Sequence, residues 1–83
     1  MPLQEDFEAA VVKAKTLPTQ PNEVLLEFYG LYKQATAGDV HGDEPGMFDF
    51  VGKAKYEAWS SRQGMSREAA MQAYIERVAE LSS

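Results

Sequence analysis

The chain has 83 residues, which is enough for one domain, and it carries a net charge of −5. That charge has the wrong sign for a protein held to nucleic acid by phosphate contacts, and the lack of cysteine excludes disulfides and thiolate metal sites. The N-terminal residues show no signal-peptide pattern and no apolar run is long enough to span a membrane. We therefore expect a single cytoplasmic domain over residues 1–83.

The first predicted element is an amphipathic helix from about Leu3 to Lys15. Its apolar residues recur at helical spacing, and they are Leu3, Phe7, Ala10, Val11 and Ala14. Two prolines follow in the segment TLPTQPN. Proline has no amide N–H and disfavours a helical conformation in the residue before it, so these prolines end the helix.

A second helix is predicted to begin with Asn22 as its N-cap and to end near Ala37 and Gly38. An apolar stripe marks one side of this helix, and its members are Leu25, Phe28, Leu31, Tyr32 and Ala35.

One face of this second helix has an unusual composition. Tyr29, Tyr32 and Lys33 stand at i, i+3 and i+4, a spacing that places all three side chains on the same face. A core stripe is normally aliphatic and a solvated stripe is normally charged. Two phenols beside an ammonium group therefore indicate a groove with a wet edge.

A loop follows the second helix. The segment AGDVHGDEPGM contains three glycines and one proline and has almost no apolar periodicity. A connection of about ten residues is long enough to cross a helical bundle, so the third helix is expected to start parallel to the second.

Two further helices complete the prediction. Asp49 is expected to cap a helix that ends near Arg62, and Gly64 then interrupts the chain. Ser66 is expected to cap a last helix that continues to the C-terminal end. The apolar positions of the two helices are Phe50, Ala54 and Ala58, with Tyr56 and Trp59 nearby, and then Met71, Tyr74, Ile75, Val78 and Leu81. The predicted fold class is all-α.

Taken without any resemblance, most of these side chains have ordinary interpretations. Lysines are usually surface solubilisers, and tyrosines are usually half-buried helix residues. Phe7, Phe28 and Trp59 are interpreted as core.

No catalytic set is visible in the sequence. His41 is the only histidine, and no cysteine or nucleophile elbow accompanies it, so we expect no enzyme activity. Asp39 and Asp43 flank that histidine, but acidic residues in a glycine-rich loop are more often turn formers than metal ligands, so no metal site is assigned.

Three segments carry a resemblance to a known family. They are YGLYKQATAGD over residues 29–39, PGMFDFVGKAKYEAW over 45–59 and SREAAMQAYIERV over 66–78. In order and spacing the chain resembles the acyl-CoA-binding protein family along nearly its whole length. The resemblance implies a four-helix bundle with an up-down-down-up course and a long connection between helices 2 and 3. It also implies a monomer without a cofactor that binds long-chain fatty acyl-CoA and serves as an intracellular carrier and pool buffer.

The resemblance also implies a ligand site. Its six positions are Lys15, Tyr29, Tyr32, Lys33, Lys55 and Tyr74. By resemblance, Tyr29, Lys33 and Lys55 serve the adenine and the 3′-phosphate, whereas the tyrosines Tyr32 and Tyr74 line the site nearer the body of the ligand.

The sequence departs from the family pattern in several places. Val51 stands where many members carry a lysine, and Tyr56 occupies a usual tryptophan position. The segment between Pro21 and Tyr29 is one residue shorter, so no residue of the acyl groove is assigned there. Two alternatives to a carrier stay open. One is a helical protein-interaction module that has lost ligand binding, and the other is an accessory domain of an enzyme that uses acyl-CoA.

Overall fold

The computed structural model describes residues 2–82, and the part of the chain that it describes consists of four helices without a strand. The helices are α1 (Pro2–Ala14), α2 (Asn22–Ala37), α3 (Phe50–Ser60) and α4 (Arg67–Ser82). None of them has the length and apolar character needed to cross a bilayer. The predicted all-α class is confirmed.

The start of α2 differs from the prediction. Pro21, not Asn22, holds the N-cap position, with φ −60° and ψ 155°. The carbonyl of Pro21 accepts hydrogen bonds from the amides of Val24 and Leu25 at 3.0 and 3.1 Å. Asn22 is already helical, so the prediction that it caps the helix was wrong. The ring of Pro21 fixes its φ, which favours the extended conformation of an N-cap at Pro21 itself, one residue before Asn22. The end at Gly38 is as predicted, with a positive φ of 83°.

The caps of the last two helices are confirmed. A carboxylate oxygen of Asp49 accepts a hydrogen bond from the amide of Gly52 at 2.9 Å, and the hydroxyl of Ser66 accepts one from the amide of Ala69 at 3.0 Å. Each cap satisfies one of the amides that a helix start leaves without a partner. The third helix is shorter than predicted, because it ends at Ser60 and gives way to turns.

α2 and α3 lie side by side, and two pairings show that they run in the same direction. Near its start, α2 shares a groove with the start of α3, where Leu26 and Phe50 both form the lining. Further along, Gly30 lies against the carbonyl of Ala58 in the last turn of α3. The long connection over residues 38–49 therefore carries the chain back before α3 begins, as its length predicted.

α4 runs antiparallel to α2 and parallel to α1. Arg77, late in α4, donates a hydrogen bond to Glu27, early in α2, at 3.0 Å. At the other end, Gln4 of α1 and Arg67 of α4 line one depression together. These pairings give the up-down-down-up course, in which α4 packs against both α1 and α2.

The apolar core lies among α1, α2 and α4, and its buried members are Phe7, Ala10, Phe28, Leu31, Ala35, Ala70, Tyr74 and Val78. Trp59 of α3 is also buried, so the three aromatic residues predicted to be core are confirmed. Leu25 and Tyr32, which belong to the apolar stripe predicted for α2, are 52% and 41% exposed. The periodic pattern shows which side of α2 is apolar, but not whether a neighbouring helix covers that side.

Gln34 and Asp39 connect the loop over residues 38–49 to the turn that precedes α4. The side-chain amide of Gln34, which is 1% exposed, donates to the carboxylate of Asp39 and to the carbonyl of Met65, both at 2.8 Å. Asp39 also accepts a hydrogen bond from the amide of Gly64 at 2.8 Å. The end of α2 is thereby tied to the turn that precedes α4.

Candidate functional site

One open groove lies where α1 ends and α2 begins, and α4 forms its base. Its volume is about 390 Å³. It is lined by Val11, Ala14, Lys15, Leu17, Pro18, Thr19, Gln20, Leu25, Phe28 and Tyr74. Two of the six predicted site residues, Lys15 and Tyr74, therefore meet in the same groove. Tyr74 is only 5% exposed, and this burial raises the pKa of its hydroxyl.

A second groove, of about 420 Å³, lies between the first turns of α2 and α3. It is lined by Asn22, Leu25, Leu26, Phe50, Val51, Ala54 and Lys55. Leu25 lines both grooves, so they meet at its side chain. Lys15 therefore lines one, and Lys55 the other, of two adjoining and otherwise mostly apolar grooves.

Lys55 and Tyr29 form the first ammonium–ring pair. The Lys55 Nζ lies 5.4 Å from the centre of the Tyr29 ring, within the range of a cation–π interaction. Because Lys55 also lines the groove between α2 and α3, this pair lies at the wall of that groove. The structure therefore brings together two residues that the sequence placed on different helices.

Lys33 rests on a different ring. Its Nζ lies 4.8 Å from the centre of the Trp59 ring, and His41 forms a T-shaped contact with that ring, with centroids 5.1 Å apart. The indole Nε1 donates to the carbonyl of Gly38 at 2.7 Å, which fixes the ring. Lys33 and Lys55 are therefore held by separate aromatic side chains.

Tyr32 is integrated into a series of aromatic contacts. Its ring stacks on Phe7 with centroids 6.0 Å apart. Phe7 in turn meets Tyr74 edge-on at 5.3 Å, and Tyr74 contacts Phe28 at 5.0 Å. Tyr32 does not line either of the two grooves that meet at Leu25, although the aromatic series connects it to the base of the first.

The loop acids and the histidine have structural surroundings. Asp39 accepts hydrogen bonds that tie the loops together, and these bonds lower the pKa of its carboxyl group. His41 packs against Trp59. Between residues 2 and 82, the structure shows no group of three or more His, Cys, Asp or Glu side chains that could hold a metal ion.

The apolar walls of the site were not predicted from the sequence. Leu25, Leu26, Phe50 and Ala54 line the groove between α2 and α3. A signal for the first two was present, because Leu25, Leu26 and Phe28 carry more apolar surface than one buried stripe of α2 accommodates. The exposure of Phe50 has no counterpart in the helical periodicity.

Comparison with known proteins fits these observations. A family model described as "Acyl CoA binding protein" matches residues 4–78. The chain belongs to the acyl-CoA-binding protein family. Its relatives include "Acyl-CoA-binding domain-containing protein 1" of Oryza sativa subsp. japonica, which is 52% identical over 98% of this chain and 90% of the relative. An "Acyl-CoA-binding protein" of Ricinus communis is 51% identical over 98% of this chain and 91% of its own length.

A solved structure of the acyl-CoA-binding protein family has the same fold. The crystal structure of acyl-CoA-binding protein 2 of Oryza sativa superposes with a TM-score of 0.94 and 49% sequence identity. The match covers 96% of this chain and 90% of that structure. The four-helix bundle inferred from the sequence is thus shared with a family member.

Proposed function

We propose that this protein binds long-chain fatty acyl-CoA thioesters and acts as a monomeric intracellular carrier and pool buffer. The observation that carries the proposal is the meeting of two open, mostly apolar grooves at Leu25, with Lys15 on one and Lys55 on the other. An acyl-CoA has the matching amphiphilic character, with an anionic nucleotide head and a long hydrocarbon tail.

The head group is assigned to the ammonium–ring pairs. Acyl-CoA carries roughly −3.5 to −4 charges near pH 7, of which the 3′-phosphate supplies about −1.5 to −2. The protein is itself negative, so its long-range field opposes binding and short-range contacts must overcome that repulsion. Charge-assisted hydrogen bonds from Lys33 and Lys55 contribute about 1.5–3 kcal/mol each, and Lys15 adds a third.

The adenine is assigned to Tyr29. Stacking of a base on an aromatic side chain is worth about 1–3 kcal/mol. The Lys55 Nζ lies 5.4 Å from the centre of the Tyr29 ring, so a nucleotide whose adenine stacks on this ring has the 3′-phosphate of its ribose near an ammonium group. Tyr74, at the base of the neighbouring groove, and Tyr32, connected to it through Phe7, are proposed to line the site nearer the body of the ligand.

The acyl tail is assigned to the groove between α2 and α3. Each methylene transferred from water contributes about 0.8 kcal/mol, so about fourteen methylenes give a gross value near 11 kcal/mol before ordering costs. Val51 replaces a charged residue of many family members and lines this groove with Leu25 and Phe50. An apolar side chain there suits the tail, so the departure at Val51 does not favour the interaction-module alternative.

Titration calorimetry tests the proposal with three ligands. Palmitoyl-CoA is expected to bind much more tightly than CoA, which lacks the tail, and than palmitate, which lacks the nucleotide. A series of acyl chains from about eight to twenty carbons then measures the gain per methylene. Equal affinity for CoA and palmitoyl-CoA, or no saturable binding at micromolar protein, contradicts the proposed function.

A further inference from the structure

A patch of large apolar side chains is exposed at the start of α3. Met47 and Phe50 are each 73% exposed, Phe48 is 84% exposed and Val51 is 68% exposed. These four residues, named here the Met47–Val51 patch, lie within five consecutive positions of the chain. Clusters of this kind on a small protein usually mark a surface that contacts a membrane or another macromolecule.

The ionisable groups near the patch are largely engaged with the protein itself. The carboxylate of Asp49, the one charged residue within it, accepts a hydrogen bond from the amide of Gly52 at 2.9 Å. On the next turn, Lys53 pairs with Glu44 at 2.9 Å, so their opposite charges offset each other. A hydrogen bond does not cancel the charge of the Asp49 carboxylate, so with the Lys53–Glu44 pair balanced these residues keep one negative charge, which suits a zwitterionic lipid surface better than an anionic one.

The patch is continuous with the groove assigned to the acyl tail. Phe50 and Val51 belong to the patch and also line that groove with Leu26 and Ala54. Phe48 does not line the groove, so it extends the apolar surface outward from the groove's edge. A tail that leaves a bilayer along these side chains stays in contact with apolar atoms until it lies in the groove.

We propose that the Met47–Val51 patch docks this protein on zwitterionic lipid bilayers and that the acyl tail passes directly between the bilayer and the groove. Exposed phenylalanine rings insert favourably at the boundary between head groups and acyl chains. The docking itself requires only the patch. The passage of the tail rests on the proposed function, so the two parts are tested separately.

The first experiment measures docking without any acyl-CoA. The full chain is floated with phosphatidylcholine vesicles, and the vesicle-bound fraction is compared with that of Phe48→Ser. The variant is expected to bind about tenfold more weakly, because it removes an aromatic ring that inserts into the lipid. Val12→Ser is the matched control, since Val12 is 63% exposed but lies on α1, and it is expected to bind like the unmodified protein.

Three outcomes of flotation contradict docking. Docking is contradicted if the unmodified protein stays in the aqueous fraction, if Phe48→Ser floats as well as the unmodified protein, or if binding rises strongly when anionic lipid is added. The last result indicates attraction through lysines, because a protein of charge −5 is otherwise repelled by an anionic surface. Sedimentation at the same protein concentrations tests whether the patch instead joins two copies of the chain. A dimer that is lost in Phe48→Ser also contradicts docking on lipid.

The second experiment measures transfer of palmitoyl-CoA from phosphatidylcholine vesicles to the protein. Phe48→Ser is expected to slow the transfer about tenfold while its affinity for palmitoyl-CoA in solution stays unchanged, because Phe48 lies outside the groove. Unchanged transfer with normal affinity overturns direct passage and leaves the proposed function intact. Absence of binding in solution overturns the proposed function, whereas the flotation result for docking still stands.

Discussion

The ammonium of Lys33 lies 4.8 Å from the centre of the Trp59 ring, and that ring is anchored back to the helix that carries the lysine. The anchor is the hydrogen bond of 2.7 Å from Trp59 Nε1 to the carbonyl of Gly38, which caps α2. α2 therefore carries the Lys33 ammonium group and, at its C-terminal cap, the carbonyl that holds the Trp59 ring in place. A residue interpreted from the sequence as core alone also orients a proposed ligand contact.

Trp59→Phe is expected to lower the free energy of unfolding by about 1–3 kcal/mol. The substitution removes the indole N–H and leaves the Gly38 carbonyl without this donor in a part-buried position. Urea unfolding followed by circular dichroism measures the change. Tyr56→Phe is the control, because the Tyr56 hydroxyl donates to Gly42 at an exposed site and at 3.4 Å, so its loss should be nearly neutral. Equal effects of the two substitutions contradict the anchoring role.

Lys33→Ala and Lys55→Ala are each expected to weaken palmitoyl-CoA binding by roughly 10- to 100-fold, because each removes a charge-assisted contact to phosphate. The apo protein should lose at most about 1 kcal/mol of stability, the size of an exposed cation–π contact. Titration calorimetry measures the affinity for palmitoyl-CoA, and urea unfolding measures the free energy of unfolding of the apo protein. Lys13→Ala removes the same charge from the exposed side of α1 and should leave affinity within about twofold. A folding defect in either site variant would make that lysine structural.

Leu25→Asp is expected to weaken palmitoyl-CoA binding strongly while affecting CoA binding much less. Leu25 lines both grooves, so a carboxylate there places a charge against the hydrocarbon tail, which CoA lacks. Because the native side chain is 52% exposed, stability should change little. Val12→Asp introduces the same charge at another exposed apolar position and serves as the control. Equal loss of affinity for CoA and palmitoyl-CoA excludes Leu25 from contact with the tail.

Gly30→Ala is expected to destabilise the protein by about 1–3 kcal/mol. A Cβ atom at this position collides with the carbonyl of Ala58, so α2 and α3 must separate. The groove that these two helices form should then also bind ligand more weakly. Gly46→Ala is the control, since a Cβ atom at Gly46 has no neighbour within 4 Å. Melting temperatures of both variants test the close contact, and a neutral Gly30→Ala contradicts it.

Low pH is expected to weaken the hydrogen bonds through which Asp39 connects the loop over residues 38–49 to the turn before α4. Hydrogen bonds from Gly64 and Gln34 lower the pKa of the Asp39 carboxyl below its ordinary value of 3.8. The unfolded chain then binds the proton more readily, so this stabilisation is complete above pH 3.8 and is lost as the pH falls through the lowered pKa. In thermal melts between about pH 2 and 5, Asp39→Asn should show a shallower pH dependence, whereas Asp43→Asn should retain the native one. Identical slopes in all three proteins refute this.

The sequence by itself determined the helices and most of their ends. Apolar residues at helical spacing defined four segments, and local chemistry fixed the caps at Asp49 and Ser66. The prediction failed at Asn22, because the conformational limits of Pro21 outweighed the capping tendency of its neighbour. Helix spacing also placed Tyr29 and Lys33 on one face of α2, as a property of that helix alone.

Only the tertiary structure decided what each face meets. Lys33 lies on Trp59 and Lys55 on Tyr29 because α2 and α3 run parallel and close together, which allows pairing between residues far apart in the chain. The same packing leaves Leu25 and Phe50 uncovered, although a periodic apolar pattern predicts burial for both. Periodicity reports which side of a helix is apolar. Whether a neighbouring helix covers that side depends on the arrangement of the whole bundle.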